Sequence, residues 1–133
     1  MNKRFEMPTL IGTALLSCAL SACTATPIKP SGFQGEYDKP IQVVKQAGVD
    51  AMSVHGFEVT QNTDVYIEGH RPRMWGFFCT PGGEGAAIWL EQTSPSHTRV
   101  AVNSEKSLFG IACQKEWTGP LLSEMRTTLG QSR

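Results

Sequence analysis

The amino-acid sequence predicts an α+β domain: an antiparallel sheet of about four or five strands, with an N-terminal and a C-terminal helix packed on one face. Three observations carry this. Apolar residues recur at helical spacing over residues 41–55 and 117–129, short stretches between them alternate apolar with polar, and breaks of turn length separate those stretches. Connections this short favour antiparallel pairing, because parallel neighbours need a crossover of about a dozen residues or more. Each helix must bury its apolar stripe, and one face of the sheet is the large apolar surface on offer.

The first folded element is expected to be a helix entered at Asp38. Asp38 would cap it, Pro40 suits its first turn, and Ile41, Val44, Ala47, Gly48, Ala51, Met52 and His55 share a face. Gly56 then supplies the left-handed residue beyond the last turn, and Phe57 packs back on it. Residues 57–60 alternate as a strand and residues 66–68 do so in part, with 61–64 as the turn. Residues 74–78 form a third apolar stretch, broken by Thr80-Pro81-Gly82-Gly83-Glu84-Gly85. Residues 86–91 resume as a strand, 93–96 turn, and 98–102 follow with Val100 and Val102 on one face. The closing helix shows Trp117, Leu121, Leu122, Met125 and Leu129 as one stripe. Gly119-Pro120 fits only near a helix start, so Thr118 is the expected cap, with Trp117 just outside as a staple. Residues 104–116 read as a buried loop or a short helical turn.

The start of the chain has a different character. Lys3 and Arg4 precede an apolar run containing Leu10, Ile11, Ala14, Leu15, Leu16, Ala19 and Leu20. A positive head, a short apolar run and a small-residue exit mark a secretory signal peptide, and a spanning helix would need about 20 apolar residues. Leu20-Ser21-Ala22-Cys23 resembles the lipobox of bacterial lipoproteins. That resemblance implies cleavage before Cys23, a thioether-linked diacylglycerol on its sulfur and an acyl chain such as palmitate on its new amino group. Cys18 could be read the same way after Leu15-Leu16-Ser17, but a cut there leaves a shorter apolar segment. Thr24 stands where an Asp favours inner-membrane retention in that family, so the resemblance implies an outer-membrane lipoprotein facing the periplasm. The expected organisation is a signal peptide over 1–22, a lipidated N-terminus and flexible tether over 23–37, and a single domain over 38–133.

Removing 22 of the 133 residues leaves 111, enough for one small domain. Lys3, Arg4 and Glu6 leave with the leader, so 12 basic and 12 acidic residues become 10 and 11. A near-neutral chain lacks the basic stripe of a nucleic-acid binder. With Cys18 discarded and Cys23 lipidated, Cys79 and Cys113 remain. In an oxidising envelope such a pair most simply forms a disulfide. Two buried thiols, or a metal site completed by His70 or His97, stay open as alternatives, although neither cysteine has a CxxC or CxxH spacing.

Reaction chemistry is not legible in the motifs. GxSxG, HExxH, GxxxxGK[ST] and the EF-hand loop are absent from the sequence. The run Gly82-Gly83-Glu84-Gly85 leads into a strand, so it reads as a hairpin connection instead of a phosphate-binding loop. His55 fits as a cation in the last helical turn. The candidate partner-binding segment is His70-Arg71-Pro72-Arg73-Met74-Trp75-Gly76, where Arg71, Arg73 and Trp75 are residue types enriched at binding hot spots. Its plain alternative is a strand entry with solvated arginines and a core tryptophan. The sequence therefore predicts a lipid-anchored, non-catalytic binding or structural module without cofactor or metal. Its partner would be an unknown envelope protein or cell-wall polymer. An inhibitor of a wall-degrading enzyme such as lysozyme is the alternative, and an envelope enzyme a further one.

Overall fold

The computed structural model describes residues 27–30, 32–72, 83–105 and 115–130. The chain runs β1 (Gly35–Tyr37), α1 (Ile41–Val54), β2 (Glu58–Asn62), β3 (Tyr66–Arg71), β4 (Glu84–Ser94), β5 (His97–Glu105) and α2 (Thr118–Thr128). The five strands form one antiparallel sheet in the order β1-β5-β4-β3-β2, so the fold is α+β. Strands β1 and β2 are its two edges, and α1 carries the chain between them. Four inter-strand gaps span about 19 Å, and a 14-residue helix rises about 21 Å, so the helix has the length this crossing needs.

Strand alternation divides the apolar residues between two clusters. Ile67, Ala86, Ile88, Leu90, Val100 and Val102 join Val44, Ala51 and Met52 of α1 and Leu121, Leu122 and Met125 of α2 in the larger one. Gly48 permits the close approach, because a Cβ there would come to 3.0 Å from Ile67 Cδ1 and 3.3 Å from Ile88 Cδ1. The intervening residues Tyr66, Ala87 and Trp89 face the opposite way and form a second cluster with Ile28. We call that side of the sheet its outer face.

The helix ends explain where the elements stop. At the end of α1, Gly56 adopts φ +76°. Its N–H bonds Ser53 O at 3.0 Å while Phe57 N–H bonds Met52 O at 2.9 Å, the paired bonds of a Schellman motif. At its start Pro40 occupies the capping position, and Asp38 is not the cap. The Asp38 carboxylate instead lies 2.8 Å from His97 Nδ1, pinning the β1–α1 connection to β5. Thr118 is likewise the first residue of α2 and not its cap. The carboxylate of Glu116 takes that role, accepting Thr118 N–H at 2.9 Å and Ser104 Oγ–H at 3.0 Å. Its negative charge suits the positive end of the helix.

Strands run longer than the alternation indicates. β2 extends to Asn62 through a bulge at Thr60, and β4 and β5 extend to Ser94 and Glu105. Their added residues are mostly polar and exposed, so backbone pairing holds them with no apolar mark in the sequence. Residues 27–30 and 32–37, expected in a tether, pack on the sheet: Ile28 is buried and Gly35–Tyr37 pairs with β5. A three-residue edge strand between glycines and prolines has the composition of a linker. The apolar stretch 74–78 lies outside the described residues.

Candidate functional site

Of the candidate site residues, Arg71 is described. Cys23, Arg73, Trp75, Cys79 and Cys113 lie outside the described residues. Arg71 ends β3, where antiparallel register sets it opposite Glu84, the first residue of β4. Its Nη1 lies 3.2 Å from Glu84 Oε2, with the carboxylate side chain 6 % exposed and the guanidinium side chain 24 %. The other carboxylate oxygen accepts Lys115 N–H at 3.0 Å. Both oxygens are thus engaged in holding chain.

Trp117 forms the centre of this corner. The Arg71 guanidinium carbon and Lys115 Nζ each lie 4.7 Å from its ring centroid. Phe57 meets it edge-on at 5.4 Å, and the His55 ring lies at the same distance, tilted 52°. His55, expected as a last-turn cation, stands one residue beyond α1 with its ring against Trp117. Because Lys115 is exposed and Arg71 keeps part of its side chain in water, each cation–indole contact gives about 0.5–1 kcal/mol. The same corner fixes Gly83, whose φ is +76° and whose Cβ would meet Arg71 O at 2.5 Å and the His70 ring at 2.6 Å. Arg71 is therefore packed into the sheet end against Glu84 and Trp117, with 24 % of its side chain exposed. Glu84, Lys115 and Trp117 were not singled out as its partners by sequence reasoning. The one available signal was an acidic residue opening an apolar strand.

A second constellation, absent from the sequence reading, occupies the outer face. Tyr66 and Trp89 rings lie 4.3 Å apart. The Tyr66 hydroxyl accepts Ile28 N–H at 3.2 Å and donates to the Glu68 carboxylate. Trp89 Nε1–H donates to Ile28 O at 2.8 Å, and Asn103 Nδ2 donates to Lys29 O at 2.8 Å. The N-terminal segment therefore crosses the sheet from β3 over β4 to β5. Beyond it, the Gln34 side chain accepts Val102 N–H at 2.7 Å and donates to Val102 O at 3.1 Å, extending the β1 ladder with an amide. Burial, with Glu68 adding to it, pushes the Tyr66 hydroxyl well above the usual tyrosine range.

On the helical side, Gln42, Val43, Gln46, Ala47 and Asp50 of α1 and Thr128 and Leu129 beside them line an open groove of about 400 Å³. His70 lies in β3, and His97 opens β5 between Asp38 and Glu36. Among the described residues, no three His, Cys, Asp or Glu side chains are grouped to hold a metal, and no helix is long and apolar enough to cross a membrane.

No family model matches the chain, and no curated protein matches it. Among solved structures it is similar to the adenylate sensor from AMP-activated protein kinase in complex with 5-aminoimidazole-4-carboxamide 1-β-D-ribofuranotide. The identity is 15 % and the TM-score 0.46, over 76 % of this chain and 98 % of that one. A likeness at that level carries no functional argument.

Proposed function

We propose that this chain is a lipid-anchored protein of the bacterial cell envelope, held by acyl chains on Cys23. It would serve in the outer membrane, facing the periplasm, as a non-catalytic binding or structural module. The observation that carries this reading is Leu20-Ser21-Ala22-Cys23 at the end of a positively headed apolar run. Two features of the fold support it. Every described residue of the sheet and helices lies beyond Cys23, so cleavage before it would leave all of them in the mature chain. Each of the two cysteines assigned to a disulfide also falls in a connection leaving the same end of the sheet. Cys79 lies between Arg71 and Glu84, and Cys113 between Glu105 and Trp117, while Arg71 pairs with Glu84 and Gly85 with Glu105. The roots of those connections are about 5–10 Å apart, a short span for the proposed Cys79–Cys113 bridge.

Fractionation of Cys23→Ser tests the anchor. The wild-type protein is expected in the membrane fraction and the variant in a soluble or precursor pool. An unchanged membrane-bound variant would remove the basis for lipidation at this residue.

A further inference from the structure

The constellation on the outer face fixes how an anchored domain stands on its membrane. We infer that the outer face of the sheet is the surface turned toward the lipid bilayer, with α1, α2 and their groove turned away from it. This rests on the proposed lipidation of Cys23 and adds an orientation to it.

Ile28 is seated on the outer face by its burial with Tyr66, Ala87 and Trp89 and by backbone bonds to Tyr66 and Trp89. Cys23 precedes it by five residues. Five fully extended residues span about 17 Å. Going straight from Ile28 through the sheet and helical layer to the far side is roughly 20 Å. A real chain must go around an edge, which is longer. The lipidated residue therefore falls short of the far side of the helices while Ile28 remains docked, and the acyl chains emerge on the outer face or at the adjoining β2 edge.

Charge decides how close that face comes. Glu36, Glu58, Glu68, Glu91 and Glu105 all occupy outer-face register positions, against Arg99, His70, His97 beside Glu36 and Lys29 of the segment laid over the sheet, which leaves the face net acidic. A bilayer with anionic headgroups repels such a face within a Debye length of about 8 Å. The face therefore looks at the membrane across a thin water layer and does not insert.

The test uses the full-length lipidated protein in vesicles containing a lipid with a spin-labelled headgroup. Single fluorophores are placed at Glu58→Cys and Glu91→Cys on the outer face and at Gln42→Cys and Ser123→Cys on the helices. Quenching several-fold stronger at the two sheet positions is expected. Equal quenching, or stronger quenching at Gln42 and Ser123, would overturn the orientation. In a second variant, a Gly-Ser linker of ~20 residues inserted after Thr24 adds about 25 Å of root-mean-square reach. It should erase the difference with the fold unchanged by circular dichroism. A difference that survives the linker refutes the reach argument. If the wild-type protein carries no lipid by mass and does not float with the vesicles, the anchoring proposal itself has failed.

Discussion

Replacing Glu84 by alanine tests the claim that Arg71 is a built-in part of the sheet end. The change removes a carboxylate that is 6 % exposed and breaks two charge-assisted contacts, 3.2 Å to Arg71 and 3.0 Å from Lys115 N–H. Removing one partner of a fully buried pair costs about 3–5 kcal/mol. Arg71 keeps roughly a quarter of its side chain in water, which lets it recover part of its hydration, so about 2–4 kcal/mol is expected. For a domain of this size that lowers Tm by about 10–25 °C. Glu84→Gln keeps an acceptor for Lys115 N–H and should cost about half as much. Arg71→Ala should be of similar size to Glu84→Ala, and the double variant much less than additive, since the two act on one interaction. Equilibrium denaturation of the four proteins measures all of this. Single losses below about 0.5 kcal/mol that simply add would refute the corner as described and return Arg71 to the surface.

Four further outcomes are expected. Tyr66→Phe removes the acceptor for Ile28 N–H and should cost about 1 kcal/mol by denaturation. The hydroxyl's folded pKa is raised, so its contribution is whole below pH ~10 and is lost as pH climbs through the higher folded value; the variant should lack that alkaline component. Glu116→Gln should cost about 0.5–1 kcal/mol at neutral pH. Burial alone would raise the Glu116 carboxyl, but hydrogen bonds from Thr118, Ser104 and Gly119 outweigh it and leave it lowered. Its contribution is thus present above pH ~4.3 and fades as pH falls through the folded value, a difference that acid titration of the two proteins reads. Gly83→Ala forces an L side chain to φ +76° against Arg71 O and should lose at least about 1–2 kcal/mol in thermal melts. Reduction of the proposed Cys79–Cys113 bridge should lower stability by about 3–4 kcal/mol. Thiol alkylation before and after reductant shows whether that bridge exists.

The parts of the fold that were legible are those where a side chain reports its own environment. The stripe of α1, the stop at Gly56 and Phe57, the pairing face of Val100 and Val102 and the stripe of α2 all rest on apolar periodicity or on a glycine with positive φ. What stayed hidden depends on partners distant in sequence. Ile28 is one apolar residue between Pro27 and Pro30, and nothing local indicates that Tyr66 and Trp89 will bind its backbone. Gln34 continues a ladder through its side chain, which leaves no alternation to read. The caps failed for the same reason, because Asp38 is drawn to His97 and Glu116 displaces Thr118. Arg71 looked like surface because Glu84, its neutralising partner, lies on the neighbouring strand and 13 residues on.

The proposed anchor and the orientation of the domain both depend on the chemical state of residue 23. Mass spectrometry of the N-terminal peptide of the protein isolated from membranes measures it directly. The predicted result is a chain beginning at Cys23, with a diacylglycerol on sulfur and an acyl chain on nitrogen. An unmodified Cys23, or a mature chain beginning elsewhere, would contradict the anchor and the orientation that follows from it.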